Sequence, residues 1–120
     1  MSLSSTYKPG LHILASFSAT SASLRGMEAC RAFFDRLILD KALVKVGEAY
    51  HEFPGGGFTA VIALTESHLS IHTWPEHGLA TFDVFLSNFL RDNESIVRSV
   101  YGETLEFFEG TELNKTELRR

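Results

Sequence analysis

The sequence predicts an α+β fold, a two-layer sandwich in which two helices cover one face of a mainly antiparallel sheet. Three observations support this prediction: apolar segments of strand length, short turn-rich connections between them, and two segments with apolar residues at helical spacing. Short connections favour antiparallel pairing, because a parallel crossover needs about a dozen residues or more. Two helices leave the other sheet face uncovered, and we expect a dimer that packs sheet to sheet to cover it.

Six segments are predicted to be strands because apolar residues alternate or cluster in them between turn signals. Their ranges are 10–17, 43–53, 58–64, 68–74, 79–86 and 104–108. The PGGG segment at 54–57 is interpreted as a turn. It is not a phosphate-binding loop, since no Lys-Ser or Lys-Thr pair follows and the next segment is a strand.

Two segments have the spacing of amphipathic helices. The first follows the capping candidates of SATSAS and carries apolar residues from Leu24 to Ile38, among them Cys30, which we interpret as a buried structural thiol. The second follows Asn93 as a possible cap and is expected to end near Gly102. The charged tail TELNKTELRR is expected to be frayed.

Length and composition limit the classes of function. The chain has 120 residues, which fits a single domain, 1–120, and its formal net charge of −4 gives no basic footprint for nucleic acid. No signal peptide and no apolar run of about 20 residues is present, so we expect no membrane segment. One cysteine cannot form an internal disulfide, and a cytoplasmic protein is the expectation.

Candidate functional side chains are concentrated in the segment 65–78, TESHLSIHTWPEHG. Period-two alternation places His68 and His72 on one face of the predicted fourth strand, about 13 Å apart, which is too far to share one metal ion. We therefore predict no metal site. A Ser-His hydrolase is also a weak interpretation of Ser67, because the sequence has no G-x-S-x-G elbow.

The same segment resembles a known processing site. ESHLSIHTWPEHG, followed by the strand DVF, resembles the motif of the prokaryotic S-adenosylmethionine decarboxylases. GLHILASF and the EFP segment fall where that family has corresponding segments, and the resemblance covers most of residues 10–110.

The resemblance implies a self-cleaving proenzyme. The hydroxyl of Ser67 would attack the carbonyl of Glu66, and cleavage would give a β chain, 1–66, and an α chain, 67–120, that begins with a pyruvoyl group derived from Ser67. This ketone would form a Schiff base with a small amino-acid-type substrate and accept the electrons released with carbon dioxide. Neither a metal nor pyridoxal phosphate would be needed. The uncovered sheet face gives the expectation of a homodimer or a higher homo-oligomer.

Family position also implies roles for other side chains. His72 would be the base of the processing reaction, assisted by Thr59, and Asp83 matches an acid of the motif that can equally be structural. Phe53 would stack on adenine and Glu76 would hold the ribose hydroxyls. Without the resemblance, these side chains could be ordinary sheet, core and surface residues.

Two positions depart from the family pattern. Ser87 stands where the family has the cysteine that returns a proton to the substrate, and Ser16 stands where an acid is common. A hydroxyl is a far weaker acid than a thiol. These changes lean the prediction towards decarboxylation of L-ornithine or L-arginine, whose cationic end Glu52 or Glu76 would meet.

Two alternatives remain from the sequence. The first is S-adenosylmethionine decarboxylation for spermidine synthesis, which the retained Phe53 and Glu76 favour. The second is a non-catalytic paralogue that acts on a partner, which an uncleaved chain would indicate.

Overall fold

A computed structural model describes residues 7–120 and confirms the predicted α+β fold for that part of the chain. Its elements are β1 (Leu11–Ser18), α1 (Met27–Asp40), β2 (Lys45–Glu52), β3 (Phe58–Leu64), β4 (Ser67–Trp74), β5 (Leu79–Leu86), α2 (Glu94–Phe108) and β6 (Thr111–Arg119), with short 3₁₀ turns at Ser23–Arg25 and Pro75–His77. The strands form one antiparallel sheet in the order β2-β3-β4-β5-β1-β6.

The core lies between the helices and one face of this sheet. Alternation along the central strands sends every second side chain into it, as in β5, where Ala80, Phe82, Val84 and Leu86 are buried. Each fully buried large apolar side chain stabilises the fold by roughly 1.5–3 kcal/mol. Cys30 is completely buried in α1, and this burial raises the pKa of its thiol to about 12, as expected of a structural cysteine.

The opposite face of the sheet, which we call the open face, is not covered by any element of residues 7–120. Most of its central side chains are polar, and a concave region of about 420 Å³ there is lined in part by Leu14, Ser16, Ser70, His72, Thr81 and Asp83. The dimer expected to cover this face remains a prediction. Within the described range, neither helix has the length and apolar content needed to cross a membrane.

The predicted end of the second helix is wrong. Helix α2 continues past Gly102 to Phe108, so the predicted strand 104–108 is helical. Thr104 and Phe108 extend the buried stripe of α2 at a spacing of four residues, while Gly102 lies on its exposed side. The helix stops at Glu109, which adopts a left-handed conformation with φ 51°.

The expectation of a frayed tail is also wrong. Strand β6 pairs with β1 over the whole of β1, and the backbone N–H groups of Gly10 and Arg120 donate to each other's carbonyls at 2.9 and 3.0 Å. Every residue of β6 is exposed, so no apolar alternation reveals the strand. Its pairing partner, β1, lies about 100 residues earlier in the chain, so the local sequence of β6 does not predict the pairing.

Candidate active site

The segment between β3 and β4 has a strained backbone. The chain reverses at Thr65 and Glu66, and Ser67 follows with φ 138°, a conformation that residues other than glycine rarely adopt. Such strain costs on the order of 1–3 kcal/mol and persists only where the surroundings hold it in place. The bond that the sequence marks for cleavage is therefore held in an unfavourable conformation.

The carbonyl of Glu66 is fixed by the end of β5. Leu86 pairs with Ser67 across the sheet, and the backbone N–H of the next residue, Ser87, donates to the Glu66 oxygen at 2.8 Å. A hydrogen bond in this direction polarises the carbonyl and would stabilise negative charge on its oxygen. The structure thus brings together three of the predicted site residues: Glu66, Ser67 and Ser87.

The side chain of Glu66 is buried, with 7% of its surface exposed, and three nitrogen atoms donate to its carboxylate. These are Asn93 Nδ2 at 2.6 Å, Arg91 Nη2 at 3.2 Å and Arg91 Nε at 3.3 Å. Burial by itself raises the pKa of this carboxyl, but the hydrogen bonds from Asn93 and Arg91 and the arginine charge outweigh it, so that the pKa is lowered. The Glu66 side chain is therefore held as an anion.

Sequence reasoning missed Arg91 and gave Asn93 a different role. Asn93 precedes α2, but its side chain makes no capping hydrogen bond and donates instead to Glu66 and to the carbonyl of Ser87, the latter at 2.8 Å. A buried carboxylate at a turn calls for a cation nearby, but nothing in the local sequence shows which cation reaches it.

A second group of predicted residues meets at the other end of β4. Phe53, Trp74 and Glu76 line a small cavity of about 160 Å³, together with Pro54, Gly57 and Thr73. Gly57 is required there, because a Cβ atom would lie 2.7 Å from the carbonyl oxygen of Thr73. Glu52, at the end of β2, is exposed and is not among the lining residues.

His72 and Thr59 lie in the sheet near that second group. They face each other across β3 and β4, with 3.0 Å between Thr59 Oγ1 and His72 Nδ1. Ser67 is five residues earlier on β4, which corresponds to about 16 Å along an extended strand. Within one chain, the predicted nucleophile and the predicted processing base are therefore far apart.

Asp83 is the centre of a hydrogen-bonded cluster on the open face. One of its carboxylate oxygens contacts Nε2 of His12 at 2.7 Å and Nε2 of His68 at 3.1 Å, and the Ser70 hydroxyl donates to the other. Arg120 approaches Nδ1 of His12 at 3.4 Å, and because arginine can only donate, the His12 proton belongs on Nε2, directed at Asp83.

This cluster lowers the pKa of Asp83. Burial alone raises that pKa, and the hydrogen bonds from Ser70, His12 and His68 outweigh the effect of burial. The sequence analysis considered His68 together with His72, whereas the fold places it beside His12, where the ligand-type atoms of His12, His68 and Asp83 lie within 4.8 Å of one another. These atoms are engaged with each other, and we interpret the cluster as a hydrogen-bond network.

Comparisons with known proteins agree with this arrangement. Residues 11–120 match the family model described as S-adenosylmethionine decarboxylase. Proteins named S-adenosylmethionine decarboxylase proenzyme from Aquifex aeolicus, Archaeoglobus fulgidus and a Sulfurihydrogenibium species are 44%, 40% and 42% identical to this chain over 77 residues, or 63% of its length. The aligned region spans 57%, 69% and 58% of those relatives.

A solved structure extends the match to nearly the whole chain. The crystal structure of the adenosylmethionine decarboxylase from Aquifex aeolicus aligns with a TM-score of 0.77 and 29% identity, and covers 95% of this chain and 90% of that one. The fold, the processing-site motif and the family match agree, and this chain belongs to the S-adenosylmethionine decarboxylase family.

Proposed function

We propose that this chain is a self-processing S-adenosylmethionine decarboxylase that uses a pyruvoyl group derived from Ser67. The observation that carries the proposal is the strained Ser67 backbone next to a Glu66 carbonyl that accepts a hydrogen bond from Ser87. The relatives are named as proenzymes of S-adenosylmethionine decarboxylase, which favours this substrate over the L-ornithine or L-arginine towards which the sequence analysis leaned.

Self-cleavage would begin with Ser67. Its Oγ attacks the Glu66 carbonyl carbon, the Oγ–C bond forms, the C–N bond breaks, and the hydroxyl proton passes to the freed amine. The oxygen that becomes negative in this step is the one to which the Ser87 N–H donates. Loss of the Cα proton of residue 67 then expels the Glu66 carboxylate, and water releases ammonia. The products are chains 1–66 and 67–120.

The residues around this point fit a pyruvoyl group. It supplies an electrophilic carbonyl that accepts the electrons released as carbon dioxide departs. Ser87, at the position of the family's proton-donating cysteine, has its backbone N–H at the cleavage point, and its hydroxyl would deliver the proton to the substrate carbon. Phe53 and Glu76, which share a cavity, would stack on the adenine and bind the ribose hydroxyls of the substrate.

The separation of these groups supports a homodimer. Ser67 and the cavity that contains Glu76 lie at opposite ends of β4, and His72 is near the cavity. Two copies packed through their open faces about a twofold axis, with their β4 strands antiparallel, would bring the β4 end that carries the cavity in one copy towards the Ser67 end of β4 in the other. Each complete site would then combine Ser67 and Ser87 of one copy with Phe53, His72 and Glu76 of the second.

A second candidate is decarboxylation of a smaller basic amino acid. Ser87 and Ser16 favour it, because both departures from the family pattern lie in or beside the proposed site, with Ser16 in the concave region of the open face. The cationic end of such a substrate would meet Glu52 or Glu76. Unchanged activity on L-ornithine and L-arginine in Glu52→Gln and Glu76→Gln chains would remove this candidate.

The proposal is tested by the intact mass of the purified protein after borohydride reduction. S-adenosylmethionine, L-arginine and L-ornithine are added separately. We expect two fragments that divide after Glu66, the second carrying a reduced adduct with S-adenosylmethionine. An adduct with only L-arginine or L-ornithine would favour the second candidate.

Two variants complete this test. Ser67→Ala should remain a single chain, while Ser95→Ala, the same change at an exposed position of α2, should be cleaved normally. Cleavage of Ser67→Ala after Glu66 would exclude the pyruvoyl chemistry. A folded wild-type chain of full length without any adduct would indicate the non-catalytic paralogue. We also keep the cytoplasmic location as a proposal, on the basis of the single buried thiol.

A further inference from the structure

The segment between β5 and α2 wraps around Glu66 more tightly than a connecting loop requires. Ser87 donates its N–H to the Glu66 carbonyl, while Asn93 and Arg91 donate to the Glu66 carboxylate. The segment is itself tied together, since the side chain of Asn88 accepts from the N–H of Asn93 at 2.8 Å and Asn93 donates to the Ser87 carbonyl. Both the backbone and the side chain of Glu66 are thus fixed by one segment.

Arg91 joins this segment to a third part of the chain. Arg91 Nε donates to one Glu66 carboxylate oxygen and Nη2 to the other. Nη2 also donates to the carbonyls of Ala42 at 3.1 Å and Lys41 at 3.4 Å, just after α1. One guanidinium therefore connects the end of α1, the turn before β4 and the segment that follows β5. A planar guanidinium with five donors can make all of these contacts, whereas an ammonium group cannot.

The charge of Glu66 creates a specific need for this cation. When Ser67 attacks, negative charge develops on the carbonyl oxygen of the same residue whose side chain is an anion. Two negative charges close together in a partly buried site repel each other and raise the barrier. The Arg91 guanidinium, 3.2 and 3.3 Å from the carboxylate oxygens, offsets this repulsion.

We propose that Arg91, supported by Asn93, is a positioning residue for self-cleavage: it holds and neutralises Glu66, so that the strained Glu66–Ser67 peptide stays in line for attack by Ser67. After cleavage, the same group holds Glu66 as the new C-terminus of the 1–66 fragment. This inference rests on the proposed function, because it assumes that the bond is cleaved by Ser67.

The test follows the conversion of the full-length chain into its two fragments during cell-free translation, with samples taken over time. Arg91→Gln should slow cleavage on the order of 10-fold to 10²-fold, since small misplacements of reacting groups cost that much. Arg91→Lys keeps the charge but loses the planar donor set, so its cleavage rate should lie between those of the wild type and Arg91→Gln. The control is Arg98→Gln, which removes an arginine of α2 that makes two hydrogen bonds to Glu117 of β6. This variant should cleave at the wild-type rate.

A charge rescue separates positioning from mere structural support. Glu66→Gln keeps an oxygen that can accept from Asn93 but needs no counter-charge, so the chain with both Glu66→Gln and Arg91→Gln should cleave faster than Arg91→Gln alone. Wild-type cleavage by the Arg91→Gln chain, or a double variant no faster than that single one, would overturn the inference. If Arg91→Gln does not fold, as judged by circular dichroism, a wild-type rate in folded Arg91→Lys overturns it instead.

The same experiment distinguishes failure of the proposed function. Wild-type chain that is never cleaved, or Ser67→Ala chain that is cleaved, would exclude the self-cleavage chemistry and with it any role of Arg91 in that reaction. Normal cleavage of the wild type that is insensitive to Arg91 would exclude the positioning role alone.

Discussion

The two ends of β4 differ in how completely one chain builds them. At its start, Glu66 is 7% exposed, its carbonyl and carboxylate both have hydrogen-bond donors, and Ser67 is held in a strained conformation. At its end, Phe53 is 39% exposed and lines a small cavity with Trp74 and Glu76. The first end is organised within the chain, and the second is left partly open.

This difference matches the two tasks proposed for the site. Self-cleavage acts on the chain's own backbone, so its groups can be fixed in place by folding, and strain can be retained there. Substrate binding needs an accessible surface, and in the proposed homodimer the second copy would enclose the open end. The predictions that follow test this contrast, beginning with the largest expected effect.

The largest expected effect is the recovery of activity when two inactive variants are expressed together. Ser67→Ala and His72→Ala chains, each inactive when expressed alone, should regain cleavage and decarboxylation when they are expressed together. In the proposed mixed dimer, Ser67 of the His72→Ala chain would face the intact His72 of its partner, so one complete site would form. Fragment masses and release of labelled carbon dioxide from S-adenosylmethionine report the outcome. If co-expression restores neither activity, the two ends of β4 do not meet across a dimer.

The next prediction concerns the proton donor at the organised end. Ser87→Cys should raise kcat for S-adenosylmethionine decarboxylation by up to about 10²-fold, because a thiol is a much stronger acid and positioned acids contribute about 10²- to 10⁴-fold. Steady-state release of carbon dioxide measures this. Ser95→Cys on α2 introduces the same thiol at an exposed position and should change nothing. An equal gain in both variants would remove Ser87 from this role.

A smaller effect is expected at the open end. Glu76→Gln should raise KM for S-adenosylmethionine roughly tenfold, which corresponds to about 1.4 kcal/mol of lost binding, and leave the rate of self-cleavage unchanged. Glu52→Gln, the same change at an acid outside the cavity, should leave KM unaltered for this substrate. A KM shift of equal size in both chains would show that overall charge, and not contact with the ribose, determines binding.

The smallest effect concerns the cluster on the open face between the two ends. Asp83→Asn should lower the free energy of unfolding at pH 7 by roughly 1–3 kcal/mol, because it removes hydrogen bonds to a charged group. The folded-state pKa of Asp83 is depressed, so its contribution is present above the unfolded-state pKa of about 3.9 and is lost as pH falls through the folded value.

Urea unfolding at a series of pH values checks this expectation. The curves of wild type and Asp83→Asn should begin to converge as the pH falls below about 4 and should meet below the depressed folded-state pKa, where the carboxyl is protonated in both the folded and the unfolded state. A constant difference down to pH 2 would mean that the substitution acts through packing and not through charge.

The strands beside the site were predictable from local pattern. Alternation along β3 and β5 predicted the sheet, because every second residue of a strand with one buried face is apolar. The cleavage point after Glu66 was predicted by the resemblance of the motif 66–78 to a processing site, and it stays a prediction. The exposed strand β6 has no apolar alternation by which it could be predicted. The extension of α2 was missed because Gly102 was interpreted as the end of the helix, although the helix tolerates it on its exposed side.

By itself, the sequence determined the α+β class and the resemblance of residues 66–78 to a processing motif, and it named the candidate site residues. Only the tertiary structure decided that Arg91 and Asn93 hold Glu66 and that His68 lies beside His12. The physical reason is the distance along the chain over which each effect acts. Periodicity and turn chemistry act between near neighbours, whereas these contacts join residues that are brought together by the order of strands in the sheet.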